Sequence, residues 1–148
     1  MVRRSVYLGL NGMGSGYFLY DEDLDFCWRC RLTSYYDVYV LSTVAYHVGK
    51  HATQELPYYA IYFGRRNRLF NVFTNYSLPL SLLCSMILAP LYVITIPYVA
   101  VRRDRVKSRI MVEVLVSMVR HLRYLVRRRK FISRIRRVSD FDLVKRGR

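Results

Sequence analysis

The chain has 148 residues, of which 53% are hydrophobic and 15% aromatic, and this composition excludes an intrinsically disordered protein. Its length allows one small unit and excludes a multidomain enzyme. The formal net charge is +15, and residues 102–148 carry +13 of it, with seventeen basic and four acidic side chains. The excess positive charge favours partners that are negatively charged.

Residues 1–33 are the first of four predicted regions, an extended or loop segment. Val6, Leu8 and Leu10 alternate with other residues, as in a short strand or an extended contact. Glycines follow at positions 12, 14 and 16, but their spacing is not that of a nucleotide-binding loop. Four acidic residues come next, and without the ligand spacing of an EF-hand they predict a solvated turn or a patch that pairs with arginines: Asp21, Glu22, Asp23 and Asp25.

Cys27 and Cys30 form a lone CxxC pair. A zinc site needs four ligands, and neither a second pair nor suitably placed histidines accompany these thiols. His47 and His51 lie four residues apart but lack a third ligand. We therefore predict no metal and no cofactor, and interpret the pair as two ordinary thiols, with a metal site or a structural disulfide as the lesser alternative.

The second region, residues 34–68, is predicted to contain an apolar helix and a tyrosine-rich linker. The helix would run from Ser34 to about Lys50, since Ser34 can cap it and Asp37 stands in the capping-box position. Its uncharged part, residues 38–49, is too short to cross a bilayer. We expect it to lie in the membrane interface or against a partner protein.

The third region, residues 69–101, is predicted to cross a membrane. Its centre, Leu78–Val101, is 24 uncharged residues long, which as a helix gives about 36 Å against a hydrocarbon core of about 30 Å. Arginines flank this run on both sides, whereas a charge at the bilayer centre would cost about 3 kcal/mol. Pro90 and Pro97 predict kinks, and the carbonyls that they free need partners. We expect neighbouring protein helices to supply most of these partners, with help from the hydroxyls of Ser85 and Thr95.

The fourth region, residues 102–148, is predicted to be a basic tail built on an amphipathic helix of about 25 residues. Apolar residues recur every four positions from Val106, and Glu113 stands where it can pair with Arg109. The predicted fold class is therefore an all-α membrane protein. It has one kinked transmembrane helix, an N-terminal apolar helix and a C-terminal basic amphipathic helix.

Basic side chains of this tail are the candidate site, for lipid or partner binding: Arg102, Arg103, Arg105, Lys107, Arg109, Arg127, Arg128, Arg129, Lys130, Arg134, Arg136 and Arg137. Three kinds of ligand compete. Anionic lipid such as cardiolipin is attracted by juxtamembrane basic clusters. Acidic surfaces of neighbouring subunits are the second, and RNA is the third.

Charge asymmetry around the predicted span favours a C-terminus on the negatively charged side, which for a mitochondrial protein is the matrix. No catalytic set of residues is present, so an enzyme is not expected. The layout of one span, tyrosine-rich flanks and a basic extension resembles the small supernumerary subunits of mitochondrial inner-membrane complexes, meaning the respiratory chain or ATP synthase.

The resemblance implies a non-catalytic accessory subunit that stabilises assembly of a large hetero-oligomeric complex and binds anionic lipid. The alternatives are an RNA-contacting protein, as a mitochondrial ribosome component or membrane tether, and an oligomeric pore-forming protein.

Overall fold

The computed structural model describes residues 1–46, 57–101 and 104–146. Every regular element in these ranges is a helix, as the sequence predicts. In chain order they are α1 (Arg4–Gly9), α2 (Glu22–Leu32), α3 (Pro57–Asn75), α4 (Leu78–Val101), α5 (Arg105–Arg120), α6 (Leu122–Ile135) and α7 (Asp140–Arg146).

The N-terminal region contains two helices, so the prediction of an extended or loop segment over residues 1–33 is wrong for α1 and α2 and holds only for the residues between them, 10–21. α1 and α2 pack through Leu10, Phe26 and Cys30, with the rings of Tyr7 and Phe26 5.5 Å apart. The alternation from Val6 to Leu10 is too short to distinguish a strand from a helix. Asp21 is the N-cap of α2, and Glu22, Asp23 and Asp25 lie in its first turn, where the helix dipole stabilises negative charge.

Ser34 ends a helix instead of beginning one. It has a φ of 70°, in the left-handed region, and its N–H donates to the carbonyl of Arg31 at 3.1 Å. The next N–H, that of Tyr35, donates to the carbonyl of Cys30 at 2.9 Å, which completes a Schellman motif at the end of α2. Residues 35–46 are not helical, so the predicted helix is absent there, and its remainder lies outside the described residues.

α4 has the predicted bounds and contains Pro90 and Pro97. The hydroxyls of Ser85 and Thr95 each donate to the carbonyl four residues earlier in the same helix. The acceptors are the carbonyls of Ser81 and Leu91. Pro90 and Pro97 free the carbonyls four residues before them, those of Met86 and Val93. The prediction that these hydroxyls compensate for the prolines is therefore wrong.

The predicted amphipathic helix of the tail is divided in two. His121 separates α5 from α6 with a φ of −94° and a ψ of 8°, and its ring Nδ1 lies 2.9 Å from the carbonyl oxygen of Ser117. The ring also packs on Phe70 of α3, with centroids 5.5 Å apart. The predicted pair of Arg109 and Glu113 is confirmed at 2.9 Å.

α3 is the central helix and packs against α2, α5 and α6, while α4 packs mainly against α5. Fully buried apolar side chains join these helices: Phe70 from α3, Ile110 and Val114 from α5, and Leu125 and Ile132 from α6. At about 1.5–3 kcal/mol for each side chain removed from water, this core supplies the main stabilisation of the bundle.

The chain returns to the beginning of α4 after α5 and α6. The N–H of Ser77 donates to the carboxylate of Asp140 at 2.8 Å, and Arg136 donates to the same carboxylate at 2.9 Å. Arg136 also donates to the carbonyl of Asn75. The N–H of Arg137 donates to the carbonyl of Leu32 at 2.8 Å. The N-terminal region and the end of the tail therefore meet at the same end of α4.

Candidate functional site

α4 turns its more polar side toward the rest of the chain. Among the described residues it is the one helix long and apolar enough to cross a membrane, with a mean hydropathy of 2.0 over Leu78–Val99. Only 6% of its most apolar part is buried. The side chains that are fully or partly buried recur every three or four residues and include several small or polar ones: Ser81, Cys84, Leu88, Tyr92, Thr95 and Val99.

The outer face of α4 is aliphatic and open. Met86 is 73% exposed and Ile94 66% exposed, and the other large side chains of this face are Leu82, Leu83, Ile87, Leu91 and Val93. A surface helix of a soluble protein has the opposite arrangement, with its apolar stripe inward. Small residues at the contact and large apolar residues outside are typical of helices that pack in lipid.

A buried cluster of charged residues lies between the N-terminal region and α6. Asp25 is completely buried and accepts from Arg29 at 2.8 Å and from Arg128. Asn75 donates to its second oxygen at 3.0 Å. Because the carboxylate belongs to α2 and its partners to α2, α3 and α6, this cluster fixes three helices relative to one another.

Arg66 is the third buried guanidinium of this region. It donates to the carbonyl of Gly16 at 2.7 Å and lies over the ring of Phe70, 4.9 Å from its centroid. Burial lowers the pKa of Arg66 from its ordinary value. For Arg128, burial opposes the charged form, but the charge of Asp25 and the nearby tyrosines outweigh it and the pKa is raised.

Three asparagines spaced by four residues line one side of α3 and hold the segment that connects α1 to α2. Asn67 donates to the carbonyls of Leu19 and Tyr20, both at 2.7 Å. Asn71 accepts from the hydroxyl of Tyr17 at 2.8 Å and from Asn75 at 3.1 Å. These contacts are structural, since each of the three amides bonds to another part of the chain, although the Oδ1 of Asn75 is buried without a donor among the described residues.

The basic residues predicted to form the site divide into two groups. Some are committed to contacts within the chain: Arg128 to Asp25, Arg129 to the carbonyls of Phe73 and Tyr76, Arg136 to Asp140, Lys107 to Asp104 and Arg109 to Glu113. Others are exposed, namely Arg105, Arg127, Lys130, Arg134 and Arg137. Arg102 and Arg103 lie outside the described residues.

Two of these internal pairs are surface contacts that leave the charged groups open to solvent. The side chain of Lys107 is 53% exposed and that of Arg109 is 75% exposed. Exposed pairs of this kind contribute about 0–1 kcal/mol, so an anionic partner can compete for either cation. Arg128 differs because it is 7% exposed and its charge is held inside the fold.

Cys27 and Cys30 are free thiols at the end of α2. Burial, reinforced by the charge of Asp37, raises the pKa of Cys30 to about 11. Burial also raises the pKa of Cys27, again with Asp37 contributing. Nucleophilic and metal-binding cysteines need a low pKa, so this environment is that of unreactive thiols at neutral pH.

Sequence reasoning missed the buried charge cluster, although two signals were available. Asp25 and Arg29 have the i, i+4 spacing of a helical ion pair, and the asparagines of α3 repeat at the same interval. The partner that buries the carboxylate, Arg128, is 103 residues away and carries no local signal. It was instead predicted to bind lipid or a partner.

Comparisons with protein-family models, with curated proteins and with solved structures found no match to this chain.

Proposed function

We propose that this chain is a non-catalytic, membrane-anchored structural subunit whose α4 lies in lipid. The open aliphatic face of α4 carries this proposal: large residues such as Met86 and Ile94 face outward, while the buried or half-buried side contains Ser81 and Thr95 together with aliphatic residues such as Ile96. A soluble fold would expose these aliphatic side chains to water, at about 1.5–3 kcal/mol for each one left unburied.

Anionic lipid is the proposed ligand of the exposed basic residues. Arg105 stands just beyond the distant end of α4, whereas Arg127, Lys130, Arg134 and Arg137 belong to the part of the tail that returns toward its beginning. Each cation near a negatively charged surface contributes about 1 kcal/mol, so the four that share one end of α4 give attachment of useful strength at physiological salt. Cations at both ends of one apolar helix fit the two surfaces of a bilayer.

The specific proposal is an accessory subunit of a mitochondrial inner-membrane energy-converting complex, of the respiratory chain or ATP synthase. It rests on the resemblance in layout together with the outer face of α4, which other subunits or cardiolipin can cover. The experiment is co-migration: membranes of the source are solubilised in mild detergent, and intact complexes are separated on a native gel. All proteins that migrate with the chain are then identified.

We expect the chain to migrate with respiratory or ATP synthase subunits. Migration with ribosomal proteins, lost after nuclease treatment, would overturn the proposal and favour an RNA contact through the exposed arginines. A second test uses vesicles of phosphatidylcholine with and without 20% cardiolipin. The variant in which Arg127, Lys130 and Arg134 become Gln should lose preference for cardiolipin while staying membrane-bound through α4.

A further inference from the structure

A small cavity lies between the glycine loop, residues 11–16, and the outer side of α6. Its volume is about 330 Å³, at the lower end of the roughly 300–1,000 Å³ of small-molecule sites. Asn11 and Ser15 line it from the loop, and the α6 side chains that line it are Tyr124, Arg127, Arg128 and Phe131. The wall therefore combines two guanidinium groups with a hydroxyl, an amide and aromatic rings.

The loop is built to approach α6 closely. A Cβ on Gly14 would stand 2.8 Å from Nη2 of Arg128, and one on Gly16 would stand 2.5 Å from the ring of Tyr124. The N–H of Gly16 donates to the hydroxyl of Tyr124 at 3.1 Å. Because any side chain at either glycine would push the loop outward, the glycines hold the mouth of the cavity at its present width.

The charge around this cavity is unbalanced. Arg29, Arg66 and Arg128 are each more than nine-tenths buried, and Asp25 is the one carboxylate buried to the same degree among the described residues. Arg128 lines the cavity, whereas Arg29 and Arg66 donate to carbonyls of the glycine loop. Because Arg29 and Arg128 share Asp25, the buried guanidinium groups outnumber the buried carboxylates by two, and the exposed Arg127 adds one more positive charge on the cavity wall. Buried charges are normally paired, because removing an ion from water is expensive.

Arg128 also has an unused donor. Its Nη2 donates to Asp25, whereas its Nε is buried and has no acceptor among the described residues. An unsatisfied buried donor of a charged group is rare in folded proteins. This Nε is closed to solvent, so a ligand in the cavity would act instead on the excess charge: negative charge and several acceptor oxygens would offset the positive charge of Arg127 and Arg128.

We propose that this cavity binds the phosphate group of a phosphate ester. Guanidinium groups match phosphate oxygens in geometry and charge, and Ser15 and Asn11 can donate to the remaining oxygens. The ester can be a lipid headgroup or a soluble molecule, since both present the same group. The site does not depend on insertion of α4, and the two proposals can therefore fail separately.

The test is calorimetric titration of the full chain in mild detergent at 150 mM NaCl. Two probes are used, inorganic phosphate and the short-chain lipid dihexanoyl phosphatidylglycerol. Arg127→Gln removes one cation from the cavity wall, and Arg123→Gln is the matched control because it makes the same change at an exposed position of the same helix that has no proposed role in binding.

We expect saturable binding of one probe or both, weakened about tenfold by Arg127→Gln and less than twofold by Arg123→Gln. Tighter binding of inorganic phosphate than of the lipid would favour a soluble ester as the class of ligand, and tighter binding of the lipid would favour a headgroup. The proposal is overturned if neither probe binds saturably, or if Arg127→Gln weakens binding no more than Arg123→Gln does.

Discussion

Replacing Asp25 by Asn should destabilise the fold strongly, because the carboxylate is the shared acceptor of Arg29 and Arg128 at complete burial. Asn keeps the shape and one oxygen but removes the negative charge. Losing one partner of a buried ion pair costs about 3–5 kcal/mol, and here two guanidinium groups lose the same partner. We therefore expect a loss of about 4 kcal/mol from a total that is typically about 5–15 kcal/mol.

Thermal unfolding of the full chain in mild detergent, followed by circular dichroism, measures this loss. For a protein of this size about 1 kcal/mol corresponds to roughly 2–4 °C, so Asp25→Asn should lower Tm by about 8–16 °C. Asp23→Asn is the control, since it makes the same change at an exposed position of α2 and should cost less than about 1 kcal/mol. Equal losses in the two variants would refute the buried ion pair as the link between α2 and α6.

Two further predictions concern the N-terminal region. Gly16→Ala should cost about 1–3 kcal/mol, because its Cβ would meet the Tyr124 ring at 2.5 Å, whereas Gly9→Ala, with nothing within 4 Å, should be neutral or slightly stabilising. Urea unfolding of both variants checks this, and similar midpoints would contradict the close approach of the loop. N-ethylmaleimide should label Cys30 very slowly at pH 7.5, because a thiol with a pKa of about 11 is almost entirely protonated. The labelling rate of Cys30 should rise about tenfold per pH unit until the pH reaches the pKa of about 11. Rapid labelling of Cys30 at pH 7.5, at the rate of the exposed Cys27 or faster, would disprove the raised pKa.

The features that sequence predicted correctly are those that a local pattern determines. α4 covers the centre of the predicted span, Leu78–Val101, because this uncharged apolar run favours a long helix. Residues 69–75 of the predicted transmembrane region belong instead to α3, which ends at Asn75. Arg109 and Glu113 pair as predicted because they lie one helical turn apart.

The errors arose where local and distant interactions compete. Ser34 has the residue type of an N-cap, yet hydrogen bonds of the preceding helix place it in a left-handed C-terminal position. Arg128 looks like any other residue of a basic run, and its burial depends on Asp25 in a helix 103 residues earlier. The return of Asp140 to Ser77, which the sequence analysis did not predict, likewise depends on a contact between residues 63 positions apart.

The central claim is that the outer face of α4 lies in lipid, and spin-label accessibility in reconstituted vesicles tests it most directly. Single cysteines are placed at Ile87 and at Arg134 in a cysteine-free background, and collisions with oxygen and with a water-soluble nickel complex are measured. We predict that the label at Ile87 meets oxygen far more often than nickel, while the label at Arg134 meets nickel readily. Equal access of the nickel complex to both positions would show that α4 faces water and would contradict the account.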